Sequence, residues 1–270
     1  MLLNAIVSGP DDPAQTPAIL IHGLFGQARN LGRLQRRLAL TRRTLAVDLR
    51  SHGDSPHGPL DLRAMGDDVR ETMRGRGIDR GVIIGHSLGG KVSMALALDH
   101  SDAVARLLVA DIAPAAYQHG NIRYARALQA LELHPGLTRA EADAALAASI
   151  EEPSVRTLLL QNLATGERPR WRIGLDDIAG SLDQAEGWPD WSEGTSYAGP
   201  ALFLRAENSD FVLPEHTPAI RSLFPRARMA TLRDAGHWLH VDKPEDFNEI
   251  VMSFVGAERP GALPLDLDKG

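Results

Sequence analysis

Residues 81–91 read Gly81-Val82-Ile83-Ile84-Gly85-His86-Ser87-Leu88-Gly89-Gly90-Lys91. An unbroken apolar run ends at a glycine, and apolar helical spacing begins at Leu88. Such a run predicts a strand buried on both faces. The change of period within a few residues forces a tight turn through Ser87. Gly85-His86-Ser87-Leu88-Gly89 matches G-x-S-x-G in the strand–turn–helix setting that a nucleophile elbow requires. Flanking side chains would collide in that turn, which accounts for the glycines. The turn pushes the serine Oγ out at the strand end, where the following helix directs its first N–H groups and positive dipole end.

Outward from this segment the same rhythm repeats. Residues 18–21 and 44–47 are apolar runs ending at His22-Gly23 and Asp48, and 107–110 ends at Asp111. Helical spacing fills 27–40 and 61–74, the latter with Asp61 as N-cap. Apolar rather than alternating strands, separated by helices, predict a doubly wound, mostly parallel sheet covered on both faces. From 114 to 200 no strong buried strand is expected. Helices are predicted over 122–133, 139–150, 154–163 and 176–185, broken by Pro135-Gly136, Pro153 and Gly166. The rhythm returns at 201–204, 229–232 and a helix over 245–255. The expected organisation is a core of 1–113 and 201–256, a helical cap of 114–200, and a loose tail of 257–270. An insertion of this size sits over the carboxyl ends of the strands, where such sheets bind ligands.

The 270 residues contain no cysteine, which excludes a disulfide framework, a thiolate nucleophile and cysteine-ligated metals. With 29 basic against 35 acidic residues, no basic face for a nucleic-acid backbone is expected. No window is long and apolar enough to span a membrane, and the first residues lack the charge pattern of a signal peptide, so the expected compartment is the cytoplasm. No nucleotide motif or metal-ligand spacing is present, and no cofactor is expected.

A serine hydroxyl needs a base within hydrogen-bond reach. Six histidines follow Ser87: His100, His119, His134, His216, His237 and His240. His237, in Asp234-Ala235-Gly236-His237-Trp238, stands between the last predicted strand and the last helix, at the strand-end face. His240 is expected to be structural. The loop His22-Gly23-Leu24-Phe25-Gly26 can supply one oxyanion N–H, from Leu24 or alternatively Phe25, and Leu88 the other. Phe25, Tyr117, Phe211 and Trp238 fall on loops at the same face and are candidates either for the lining of an acyl pocket or for core beneath the cap. Lys91 is expected to pair with a carboxylate or to help set the pocket floor, and Asp48, Arg50, His52 and Asp54 to form an ion-paired and hydrogen-bonded loop buttressing the strand ends.

Taken together, His22–Gly26, 48–55 (Asp-Leu-Arg-Ser-His-Gly-Asp-Ser), 85–91, Asp111-Ile112-Ala113-Pro114 and Gly236-His237-Trp238 resemble the α/β-hydrolase superfamily. Lys91, Asn30 and the 111–114 segment resemble in particular small bacterial acyl esterases and their mitochondrial abhydrolase-domain relatives. The resemblance implies an α/β-hydrolase fold with the cap between the sixth and seventh core strands. It further implies a serine hydrolase cleaving carboxylic esters or thioesters of small to medium acyl groups through an acyl-enzyme. The triad acid has two candidates. Asp210 lies in the loop after 201–204, one residue beyond the usual position, which here is Ser209. Asp111 ends the strand after the nucleophile strand, and in the subgroup resembled the acid is taken from that position, with a serine where Asp is usual. A lyase or carbon–carbon bond hydrolase on the same residues, or a non-catalytic binding protein, are the competing readings. The expected partner is a small-molecule ester or thioester, and monomer and dimer both remain open.

Overall fold

The computed structural model describes residues 1–118 and 120–256; the expected tail and His119 lie outside the described residues. Seven strands form one sheet in the order β1 (Ala5–Ser8), β3 (Thr44–Val47), β2 (Ala18–Ile21), β4 (Gly81–His86), β5 (Val104–Ala110), β8 (Ala201–Ala206), β9 (Ala227–Leu232). All pairs are parallel except β1 with β3. Side chains alternate across the sheet. Ile19, Ile21, Leu45, Val47, Ile83, Val109 and Phe203 bury one face, against α2 (Leu62–Arg74) and α3 (Leu88–Asp99). Ala18, Leu20, Ala46, Ile84, Leu108, Leu202 and Leu204 bury the other, against α1 (Gly32–Leu38) and α10 (Pro244–Gly256). Every residue of α3 but Asp99 is buried, so this helix is apolar all round rather than amphipathic.

Local signals act as expected at the helix starts. The Asp61 carboxylate accepts from Ala64 N–H at 2.8 Å and opens α2. Thr138 and Glu141 form a reciprocal capping box at α5 (Arg139–Leu146). The predicted 27–40 helix is shorter, because the Asn30 side chain accepts from Gln27 N–H and tightens 28–31 into a 3-10 turn ahead of α1.

The inserted segment carries α4 (Ile122–Ala130), α5, α6 (Pro153–Leu160) and α7 (Leu175–Glu186). It also holds a short antiparallel ribbon, β6 (Leu163–Ala164) with β7 (Arg170–Trp171), where no strand is expected from sequence. The insertion leaves the sheet between β5 and β8, the fifth and sixth of its strands in chain order. That is one earlier than expected, because only β1 precedes β2. Two further helices, α8 (Thr217–Leu223) and α9 (Leu239–Asp242), complete the described chain.

Lys91 joins the insertion to the core, and not through a carboxylate. Its Nζ donates to the carbonyls of Ala185, Glu186 and Gly187, at 3.3, 2.6 and 2.7 Å, at the C-terminal end of α7. A cation there meets the negative end of the helix dipole. The Tyr117 ring lies 4.8 Å from the same ammonium. Burial pushes Lys91 down to about 7, opposed by the charge of Glu186. Lys91→Met keeps the side-chain length and strips the Ala185 and Gly187 carbonyls of this donor, while Glu186 keeps its bond from Tyr117 N–H. Stability to chemical denaturation should fall by about 1–3 kcal/mol, the cost of leaving acceptors unsatisfied away from water. An unchanged unfolding midpoint would contradict this role.

Candidate active site

In-register pairing of Ile21 with Gly85, Gly85 with Val109, and Ala110 with Leu204 brings the ends of β2, β4, β5 and β8 to one edge. The loops beyond them carry the chemistry. At the end of β4 the backbone turns sharply through Ser87, with φ +52° and ψ −121°. A non-glycine residue held there costs about 1–3 kcal/mol, which the surroundings must offset. Crowding explains Gly85 and Gly89. A Cβ on Gly85 would lie 2.2 Å from the Gly89 carbonyl oxygen, and one on Gly89 would lie 2.3 Å from that of Ile21. Ser87 N–H donates to the Ala110 carbonyl at 3.0 Å, which ties the turn to the neighbouring strand.

One imidazole bridges the strand ends. His237 Nε2 lies 2.9 Å from Ser87 Oγ, and its Nδ1 lies 2.8 Å from Asp111 Oδ2. The carboxylate can only accept at Nδ1, so that nitrogen carries the proton and Nε2 faces the serine hydroxyl as an acceptor. Asp111 is fully buried, at φ +51°. Its Oδ1 accepts from Ala206 N–H at 2.8 Å, and its Oδ2 also accepts from the Ser209 hydroxyl. Asp210, the alternative acid, is exposed, and both His237 nitrogens already have partners. Of the other candidate histidines, His100 pairs with Asp67 and His216 accepts from Leu213 N–H, while His240 lines the cavity beside Ser87 with its ring 4.9 Å from that of His86.

Leu88 is the first residue of α3, so its N–H has no acceptor a turn earlier. Across from it, the 23–26 loop closes on a Gly26 N–H to Gly23 carbonyl bond of 3.0 Å. Among the described residues Leu24 N–H has no protein acceptor. Phe25, the alternative donor, is otherwise engaged: its N–H donates to His52 Nε2 at 3.0 Å. The geometry therefore leaves Leu24 and Leu88 as the available pair of N–H groups.

A cavity of about 230 Å³ opens beside Ser87 and His237. Phe25, Phe211 and Trp238 line it, and among the described residues no Lys, Arg, Asp or Glu does. Phe211 stacks on the His237 ring, with centroids 3.8 Å apart and planes 14° from parallel. Tyr117 is not among the lining residues. Its hydroxyl accepts from Ala113 N–H and donates to the Phe211 carbonyl, so it braces the wall from behind. Tyr124, Val155, Leu158 and Leu159 of the inserted helices line the cavity and escaped prediction. Their helical spacing predicts a buried face without saying whether it meets core or cavity.

The buttressing loop is both hydrogen-bonded and ion-paired, with the ion-pair partners supplied from outside it. Asp48 accepts from Ala28 N–H, Asp54 N–H and Asn4 Nδ2, while Arg50 pairs with Asp68 at 2.7 Å. His22 donates from Nδ1 to the Gly23 carbonyl and accepts at Nε2 from Leu49 N–H. His86 Nε2–H donates to the His237 carbonyl at 2.7 Å, which fixes the loop carrying His237. Burial lowers His22, pushes His86 well below its ordinary value, takes His52 to about 3 and His240 to about 4.

Four neutral histidines around the site make the fold acid-sensitive. Below pH 6.5 the unfolded chain protonates them and the folded chain does not, so the unfolded state binds more protons and stability falls with pH. Each contributes a loss of about 1.4 kcal/mol per pH unit, fading as its folded value is approached. Denaturation at pH 5 should give a clearly lower unfolding free energy than at pH 7. Equal values would contradict the neutral, buried state assigned to these rings.

Comparison with known proteins agrees with this architecture. The chain is 40% identical over 256 residues to the sn-1-specific diacylglycerol lipase ABHD11 of Mus musculus, covering 91% of this chain and 83% of that protein. It is 35% identical over 237 residues to Esterase YbfF of Escherichia coli (strain K12), covering 85% and 89%. A solved structure described as a marine microorganism esterase superposes with a TM-score of 0.88 at 30% identity, over 94% of this chain and 99% of that one. Residues 18–250 match the model of the alpha/beta hydrolase family, from the first parallel strand to the last helix, and the chain belongs to that family.

Proposed function

We propose that this carboxylesterase-type hydrolase cleaves carboxylic esters or thioesters of small to medium acyl groups through an acyl-enzyme on Ser87. The observation that carries the reading is the single His237 ring hydrogen-bonded to both Ser87 Oγ and the buried Asp111 carboxylate, beside an apolar cavity. Ser87 Oγ attacks the acyl carbon while His237 Nε2 takes its proton. The carbonyl oxygen becomes an oxyanion between Leu24 and Leu88 N–H. Collapse expels the alcohol or thiol, protonated by His237. Water then attacks the acyl-serine, giving its proton to the same nitrogen, and the acid leaves as Ser87 is restored. Asp111 stays ionised throughout, holding the His237 tautomer and stabilising the imidazolium.

The lining supports an uncharged acyl group, since no charged side chain is present to hold a carboxylate or ammonium. In this reading 1–113 and 201–256 form the catalytic core, and 114–200 is a cap whose helices α4 and α6 wall the acyl pocket. The relatives named as a lipase and an esterase favour ester substrates over the carbon–carbon bonds that the same three residues could also attack.

Hydrolysis of p-nitrophenyl esters of graded acyl length tests this reading. Ser87→Ala should lose activity on the order of a million-fold. Asp111→Asn should lose about ten-thousand-fold in kcat, and Asp210→Asn should stay near wild type. No turnover of any ester by the wild type, or loss confined to Asp210→Asn, would refute the assignment.

A further inference from the structure

Phe25 holds a left-handed backbone, φ +59°, that an aromatic residue rarely adopts. Two side chains from distant parts of the chain grip its two peptide groups. His52 accepts its N–H, and Asn162 Nδ2 donates to its carbonyl at 2.8 Å. His52 is fully buried, with its Nδ1 bonded to the Arg50 carbonyl, and stays neutral, so Nε2 remains an acceptor.

Asn162 comes from the insertion, 137 residues further along the chain, and is 1% exposed. It stands between α6 and the ribbon, and both hold it: Arg172 N–H, next to β7, donates to the Asn162 carbonyl at 2.9 Å, and Asn162 N–H to the Leu159 carbonyl of α6 at 3.1 Å. Its amide also donates to the Leu159 carbonyl at 3.2 Å. A residue anchored this firmly in the insertion thus bonds to Phe25, whose preceding residue, Leu24, presents the oxyanion N–H.

We infer that Asn162 is a positioning residue for the oxyanion donor Leu24, through which the docked insertion fixes the shape of the 23–26 loop. The inference rests on the esterase reading above. It gives the insertion a second task beyond walling the acyl pocket: the donor is in place only while the insertion is seated. Without the Asn162 bond, the Phe25 carbonyl loses the partner that holds the left-handed turn, and Leu24 N–H shifts with it. Misplacement of a catalytic group by about 1 Å can cost on the order of a hundredfold in rate.

The experiment compares wild type, Asn162→Ala and the near-isosteric Asn162→Asp as full chains. In both variants kcat should fall about ten- to hundredfold with KM little changed, since the oxyanion forms only after binding. Inhibition by a trifluoromethyl ketone, whose hemiketal oxyanion needs the same N–H groups, should weaken by the factor lost in kcat/KM. Amide hydrogen exchange over 24–26 should quicken in both variants. This last reading needs no substrate, so a wild type inactive on esters would sink the esterase reading while the loop measurement still decides this one. A lower melting temperature with kcat, inhibitor affinity and loop exchange unchanged would make Asn162 merely structural and overturn the inference.

Discussion

At Ser87 the chain leaves a fully buried strand and enters a fully buried helix within one residue, and nearly every unusual feature of the site follows from that turn. The backbone takes φ +52° in a turn where Gly85 and Gly89 remove the Cβ atoms that would strike the Gly89 and Ile21 carbonyls. Ile21 is the last residue of β2, so the close approach also fixes where the His22–Gly26 loop begins. The first N–H of α3 and the loop from β2 are thereby brought to the same side of the serine. A larger residue at Gly89 would displace β2 from α3 and open both halves of the oxyanion site together.

The strain in this turn is balanced by buried polar bonds rather than by apolar packing alone. Asp111, also left-handed, has its carboxylate oxygens held by Ala206 N–H, the Ser209 hydroxyl and His237. His86 pins the His237 carbonyl, and Phe211 lies flat against the His237 ring with Tyr117 behind it. The three residues Phe25, Ser87 and Asp111 share positive φ at three different strand ends. Strain concentrated in this way is typical of sites whose geometry must exist before substrate arrives. Lys91 on one side and Asn162 on the other tie the insertion to the rest of the chain by hydrogen bonds as well as by shared apolar contacts.

Much of the fold was readable because buried parallel strands leave apolar runs that no helix of that length would need. The runs at 18–21 and 44–47 coincide with β2 and β3, and Asp61 caps α2. The two-residue ribbon at 163–171 was not readable, since two residues carry no period. Ser87 and His237 stood out by context, and the structure brings their side chains together. The choice between Asp111 and Asp210 was open in one dimension because both lie just beyond a strand; only the pairing of β5 with β8 puts Asp111 beneath the His237 loop. Lys91, Tyr117 and the Phe25 N–H all bond to backbone groups or to a distant imidazole. A sequence does not mark which carbonyl or ring nitrogen a buried donor will meet, so their partners became visible only in the folded chain.

The proposed mechanism depends above all on acylation of Ser87. Rapid acid quench of the wild type with a slowly deacylated ester, followed by peptide mass spectrometry, measures this directly. The predicted result is one acyl group on the peptide containing Ser87, absent when Ser87 is replaced by Ala. Turnover of the ester with no acylated peptide, or with the acyl group on another residue, would contradict it.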